Sequence, residues 1–228
     1  MKIAEIFHSI QGEGMLAGVP SVFVRTSGCN LRCQWCDTPY TSWDPEGDDM
    51  PLGTLLAKVR RFWPSHVVIT GGEPMIAGDM ALFTQRLKEI LDVHITIETA
   101  GTVFEPVQCD LMSISPKLSN STPSEDIAGG WAQQHERTRY RPAILKELIG
   151  AYNYQLKYVL SKPEDEAEIS PMLEEIGAEK SRVVLMAEGT DPATLAERGR
   201  WIVEICKREG YRYSPRIHID LYGNQRGV

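Results

Sequence analysis

The 228-residue sequence contains no apolar run approaching the roughly 20 residues that a membrane-spanning helix needs. Its first residues, Met1-Lys2-Ile3-Ala4-Glu5, lead into no apolar stretch of the kind that marks a secretory signal. It has no block of lysine and arginine, and its formal net charge is -7. Neither a nucleic-acid partner, which would draw on Lys and Arg against phosphate, nor a membrane partner is therefore expected. No internal repeat is visible. Cysteine is scarce and uneven: of five, three fall within eight positions, while Cys109 and Cys206 stand alone. An odd number without a secretory signal argues against a disulfide framework and for the reducing cytoplasm.

What is present suits a folded domain. Hydrophobic residues make up 42% and charged residues 24%, enough to build one core across residues 1–228. Short runs rich in Val, Ile and Leu predict strands at 21–26, 66–70, 94–98, 110–115, 155–160, 182–186 and 216–220. Helix-like runs lie between them at 52–63, 75–91, 142–150, 163–177 and 192–209. The last is the clearest, with Thr190 or Asp191 to cap it, Pro192 at its first position and Gly210 to stop it. Strands alternating with helices imply a parallel α/β sheet. Six or seven strands fall short of the eight of a closed barrel, so an open, partial βα barrel is expected. Residues 119–141 break the rhythm. They are polar and contain Gly129-Gly130, and they read as a loop insertion, either a lid over the site or a surface excursion.

The cysteine cluster is Cys29-Asn30-Leu31-Arg32-Cys33-Gln34-Trp35-Cys36, directly after the strand at 21–26. A lone Cys33-x-x-Cys36 fits a redox dithiol or half of a zinc site. Zinc needs a second ligand pair, which the sequence lacks, and a dithiol leaves Cys29 without a role. Three thiolates on one loop suit a four-iron, four-sulfur cluster with three irons held and one open for a small ligand. A second candidate element, Gly71-Gly72-Glu73-Pro74, closes another strand, where paired glycines let a ligand approach the backbone. Glu98-Thr99 and Ser115-Pro116-Lys117 close two more strands. Polar groups gathered at C-terminal strand ends are what a barrel-type active face requires.

The C-x3-C-x2-C spacing, with Trp35 as the aromatic before the third cysteine, resembles the radical S-adenosylmethionine (SAM) superfamily. The resemblance implies that SAM chelates the open iron and yields a 5′-deoxyadenosyl radical. Ile6-Phe7-His8-Ser9-Ile10-Gln11-Gly12-Glu13-Gly14, Arg25, Asp37-Thr38 and the C-terminal Leu221-Tyr222-Gly223-Asn224-Gln225-Arg226-Gly227-Val228 narrow the likeness. They are similar to the 7-carboxy-7-deazaguanine synthase family of the queuosine pathway.

That family implies a lyase, which contracts 6-carboxy-5,6,7,8-tetrahydropterin to 7-carboxy-7-deazaguanine with loss of ammonia and uses SAM catalytically. It also implies Mg2+, a flavodoxin- or ferredoxin-type electron donor and a homodimer. By the same resemblance Cys29, Cys33 and Cys36 hold the 4Fe-4S cluster and Thr38 the magnesium ion. Trp35, Cys36, Asp37, Gly72, Glu73, Ser115, Pro116 and Lys117 line SAM. Ile10, Gln11, Gly12, Arg25 and Thr70 hold the substrate, Arg25 as a two-pronged partner for its carboxylate. Glu13, Glu98, Thr99, Gln155 and Lys157 form a second group of candidates. A glycyl-radical activase of the same superfamily and a non-catalytic zinc-binding module are the alternative readings. The link of queuosine to tRNA is the one hint of nucleic acid, and the negative charge opposes it. Of His8, His66, His94, His135 and His218, all read as ordinary surface or core residues, His218 alone is singled out. Cys109 and Cys206 read as small buried hydrophobes, and Trp43, Trp63, Trp131 and Trp201 as packing residues.

Overall fold

A computed structural model describes all residues from Met1 to Val228. A single nine-stranded sheet runs through the molecule. In chain order its strands are β1 (Lys2–Ile10), β2 (Pro20–Thr26), β3 (Asp48–Asp49), β4 (His66–Gly71), β5 (His94–Thr99), β6 (Leu111–Ile114), β7 (Tyr154–Leu160), β8 (Val183–Ala187) and β9 (Arg212–Ser214). Their spatial order is β3-β1-β2-β4-β5-β6-β7-β8-β9. From β2 to β9 all neighbours are parallel, while β1 runs antiparallel to both β2 and β3. Parallel neighbours need long crossovers. Between β5 and β6 residues 100–110 form a helix-free connection, and everywhere else helices supply the crossover. These are α1 (Leu52–Arg60), α2 (Met80–Leu91), α5 (Pro142–Ala151), α6 (Ile169–Ile176) and α7 (Pro192–Glu209); α3 (Glu125–Ala128), α4 (Gly130–Thr138) and α8 (Ile217–Tyr222) are extra.

Alternation along each strand sorts side chains to two destinations. Val22 and Val24, Val67 and Ile69, Ile95 and Ile97, Met112 and Ile114, Leu156 and Tyr158, and Val183 and Leu185 join the continuous core under the helices. The residues between them, among them Phe23, Arg25, Thr70, Glu98, Ser113, Lys157 and Met186, line one cavity on the opposite face. A single cavity touched by every strand from β1 to β8 except the edge strand β3 requires a sheet curled around it, and the Ile217 amide ties α8 to the Gly12 carbonyl across the gap at 3.0 Å. The sheet curls without closing, because β3 and β9 are free edges.

The structure departs from expectation in several places, among them the short strands β3 and β9, which no apolar run announces. β1 was not expected as a strand. Only Ile3 of its residues is buried, so this near-edge strand has little apolar signal. Its place is secured by pairing with β2, including Phe7 stacked on Phe23 with ring centroids 5.0 Å apart. The strand expected at 216–220 is the helix α8. Alternating Ile217, Ile219 and Leu221 mimic a strand, but Pro215, which lacks an amide hydrogen, ends β9, and the Ile219 and Asp220 amides then turn onto the Arg216 carbonyl. Residues 119–141 are not a bare loop: they fold into α3 and α4, joined at Gly129, whose φ of +54° suits glycine. Polar sequence hid α4 because only Ala132 and His135 on it are buried. Of the tryptophans, Trp201 packs against the core, whereas Trp63 is 80% exposed and Trp131 lies on the surface. Cys206 is buried as expected, but Cys109 only partly so, since it lies in the segment leading into β6. α7 matches its prediction residue for residue, with the Asp191 side chain accepting from the Thr194 amide at 2.9 Å. No helix is long and apolar enough to cross a membrane.

Candidate active site

The cavity at the C-terminal strand ends has a volume of about 450 Å3. Its first wall is the cysteine loop after β2. Gly72 packs so tightly against this loop that a Cβ there would stand 2.1 Å from the Gly28 carbonyl oxygen. The Glu73 amide donates to the same oxygen at 2.9 Å. Glycine at 72 is therefore demanded by close approach of two backbones. The Glu73 carboxylate is wholly buried and turns away from the cavity. It accepts from the Met75 amide, the Thr99 hydroxyl and the Ala100 amide at 3.0, 2.7 and 2.8 Å, tying the end of β4 to that of β5. Burial, only partly offset by these bonds, raises its pKa.

Cys29, Cys33 and Cys36 all face the cavity. Leu31, Cys33 and Ala100 form a small apolar cluster, with Cys29, Trp35 and Cys36 packed against it. Burial pushes the Cys29 and Cys33 thiols up to about 12. Thiols so placed resist ionisation in water alone, and the positive charge of a bound metal is what converts them to thiolate ligands. The donor set fits an iron–sulfur cluster: three thiols at one end of a cavity, an apolar shell, and Cys109 and Cys206 outside the cavity lining.

The segment 119–141 grips the outside of this loop. The Gln34 amide donates to the Ser121 carbonyl at 2.9 Å, and Trp35 Nε1 to the Asn120 carbonyl at 2.9 Å. The Arg32 amide donates to His135 Nδ1 at 3.0 Å, so the proton of that neutral ring sits on Nε2, which faces Ser121 Oγ at 2.9 Å. Burial lowers the His135 pKa to about 4. The Arg32 guanidinium covers the Trp131 ring at 4.0 Å. Trp43 supports the loop from inside by donating to the Cys33 carbonyl at 3.0 Å. His135 and Trp43, treated by the sequence as ordinary residues, are thus part of the scaffold.

The second wall is charged. Glu98 accepts from Gln11 Nε2 at 3.1 Å and from the Thr70 hydroxyl at 2.8 Å. Lys157 binds Glu13 directly and stands 4.0 Å from Glu98. Burial alone would raise the Glu13 pKa, but Lys157 and Arg216 outweigh it and hold the carboxyl well below the usual range. Burial would likewise lower that of Lys157, yet Glu13 and Glu98 keep it raised and the ammonium charged. Arg25 lies over the Phe7 ring and 3.7 Å from Glu5, and its Nε is buried without a hydrogen-bond partner. Glu5 answers the charge of this Nε at ion-pair distance without a hydrogen bond, which leaves the guanidinium's donors open to a further carboxylate. Lys117 donates to Ser115 Oγ at 2.8 Å and sits above the Trp35 ring.

Most predicted residues therefore meet in one place. Ile10, Gln11, Gly12, Glu13, Arg25, Trp35, Asp37, Thr38, Thr70, Gly72, Glu98, Thr99, Ser115, Lys117 and Lys157 line the cavity together with the three cysteines. Glu73, Pro116 and Gln155 do not line it. Gln155 instead accepts from the Met15 amide at 2.8 Å and donates to the Ser113 hydroxyl at 2.8 Å. His218, singled out earlier, lines the cavity with its ring occupying the space a Cβ on Gly12 would fill. Arg216 was missed: no local motif marks it, and its partners are distant in sequence.

Known proteins agree with this geometry. The Radical SAM superfamily profile matches residues 23–118. A 7-carboxy-7-deazaguanine synthase from Halobacterium salinarum is 43% identical, covering 98% of this chain and 91% of its own. A synthase of the same name from Rhodopirellula baltica is 41% identical over 99% and 88%. Among solved structures, QueE from Escherichia coli superposes with a TM-score of 0.69 at 26% identity, covering 95% of this chain and 94% of its own. With 41–43% identity over nearly the full length joined to a three-cysteine cavity on an open, mostly parallel sheet, the chain belongs to the 7-carboxy-7-deazaguanine synthase family of radical SAM enzymes.

Proposed function

We infer that this chain is the lyase that converts 6-carboxy-5,6,7,8-tetrahydropterin to 7-carboxy-7-deazaguanine, with SAM as a returning cofactor. Substrate and product differ by ammonia alone, so the conversion consumes no net oxidant or reductant. The observation that carries this reading, beside the relatives, is the Arg25 guanidinium, which makes no hydrogen bond and meets Glu5 only at 3.7 Å, in the same cavity as the three thiols. A cation with open donors, within reach of a radical source, fits a carboxylated substrate.

Cys29, Cys33 and Cys36 would hold the cluster, which together with bound SAM supplies an organic radical able to remove a hydrogen atom. Trp35, Cys36, Asp37, Gly72, Ser115 and Lys117 would surround SAM, and Glu73 and Pro116 would act by shaping those strand ends. Arg25, Ile10, Gln11, Gly12 and Thr70 would hold the pterin, with Lys157, Glu13, Glu98 and Thr99 setting the charge around it. Gln11 and Thr70 already spend one donor each on Glu98, which fixes where their remaining lone pairs point. Thr38, on the cavity wall two residues after Cys36, would give its hydroxyl to a magnesium ion, a hard cation that also accepts the substrate carboxylate. We place residues 119–141 as a brace and cover for the cysteine loop within one catalytic unit, and expect a flavodoxin- or ferredoxin-type donor and a homodimer.

Anaerobic turnover tests the reading. Chain with a fully loaded cluster, SAM and a reductant should convert the pterin to 7-carboxy-7-deazaguanine, faster with Mg2+ than without. No product from loaded chain would overturn it. Purified anaerobically, the protein should be brown and bleach in air; colourless, zinc-loaded protein would end the radical reading.

A further inference from the structure

Arg216 stands between β9 and α8, with a side chain only 7% exposed. Its guanidinium donates to three acceptors on three other segments. Nε reaches Glu13 Oε1 at 2.9 Å, Nη1 reaches the Gly189 carbonyl at 2.5 Å, and Nη2 reaches an oxygen of the Asp37 carboxylate. Glu13 follows β1 and sits beside Gln11 and Gly12; Asp37 ends the cysteine loop after β2; Gly189 follows β8. A buried cation is costly unless it is well paired, and here each of the three guanidinium nitrogens has an acceptor. α8 also holds residue 12 through the Ile217 amide, but only Arg216 reaches across to the cysteine loop.

We propose that Arg216 is a positioning residue that couples the two ligand-binding segments, registering the pterin side against the SAM side so that each ligand tightens the other. The proposal rests on the function inferred above. One rigid group bonds both carboxylates, so a displacement of Asp37 on SAM binding is transmitted to Glu13, and the reverse holds by linkage. With the register set, the radical meets one carbon of the substrate and the hydrogen can be returned. Lysine cannot replace this fork, because a single ammonium on a flexible stem does not span three acceptors fixed in a plane.

The test is to titrate SAM into the cluster-loaded chain, with and without 6-carboxytetrahydropterin, for the unmodified protein, Arg216→Lys and Arg216→Gln. Released 5′-deoxyadenosine is counted against product in the same samples. The unmodified chain should bind SAM roughly tenfold tighter when the pterin is present, within the usual span of site-to-site coupling. In Arg216→Lys that ratio should fall to about one, and 5′-deoxyadenosine per product should rise several-fold, with iron content and circular dichroism unchanged. Arg216→Gln should behave likewise at a lower melting temperature; should it fail to fold, the lysine variant decides. Equal ratios in the unmodified and lysine proteins, or no coupling in the unmodified one, would overturn the proposal. A loaded, unmodified chain that forms no product overturns the functional reading instead, and the binding ratios still test the coupling.

Discussion

On the inner face of the sheet, the N-terminal ends of β2, β4 and β5 present Ser21, His66 and Thr96; the C-terminal ends of the same strands present Arg25, Thr70 and Glu98. At the first end most polarity is settled in neutral pairs, although Nδ1 of the neighbouring His94 is buried without a hydrogen-bond partner. His66 bonds Ser21 Oγ through Nδ1 and Thr96 Oγ1 through Nε2, each at 2.8 Å, and all three are almost wholly buried. At the other end charge is concentrated, and the Arg25 Nε faces Glu5 at 3.7 Å without a hydrogen bond. The contrast separates structure from function. Neutral polar groups bonded to one another seal the sheet, whereas charged groups gathered on a cavity wall stand where something that is not part of the chain can meet them.

That contrast can be tested from both ends. The largest effect should come from Cys29→Ser, Cys33→Ser or Cys36→Ser, each of which should eliminate product and strip bound iron while circular dichroism stays that of the folded chain; retention of cluster absorbance in any of them would contradict the ligand set. Next is Lys157→Met, which removes a buried cation from Glu13 and Glu98. It should cost about 3 kcal/mol or more of unfolding free energy in denaturant melts, and adding Glu13→Gln should recover part of that. If Lys157→Met is silent, the charged wall is not a coupled unit.

The neutral end makes a pH prediction. Burial lowers the His66 pKa to about 4 from an ordinary 6.5, so between those values the unfolded chain binds a proton that the folded chain refuses. Its contribution to stability is complete above pH 6.5 and is lost as pH falls toward 4, by roughly 3 kcal/mol in all. His135 adds a second loss in the same window. His66→Phe should flatten this slope in urea melts across that range; an unchanged slope would mean the ring is not held neutral. The smallest effect is set by Arg86→Ala, since its pair with Glu89 is exposed to solvent, and the melting curve should barely move.

Much of the fold could be read directly because its signals are local. The apolar runs of β4 and β5 and the cap, proline and glycine of α7 lie within a few residues of one another. β1 and α8 could not be read so, since one is a near-edge strand with a single buried residue and the other alternates like a strand while turning as a helix. The site divides the same way. Cys29, Cys33 and Cys36, Gly71 to Pro74 and Arg25 are marked by spacing or by strand position. The choice of Lys157 over Gln155 for the cavity is not, because both point to the same side of β7 and only the neighbouring strands decide what each one meets.

By itself the sequence determined three thiols on one loop, a glycine pair closing a strand, and the strand–helix alternation that brings C-terminal strand ends to one face. These depend on residue type and short spacing, which the chain carries with it before folding. Only the tertiary structure decided that Arg216 joins Glu13 to Asp37, that His135 braces the cysteine loop, and that Glu73 bonds inward rather than lining the cavity. Each of those contacts links segments from 27 to 203 residues apart. Such pairings exist only once the sheet has curled and buried the charges, where a polar group must find its partner or lose the hydrogen bonds it had in water.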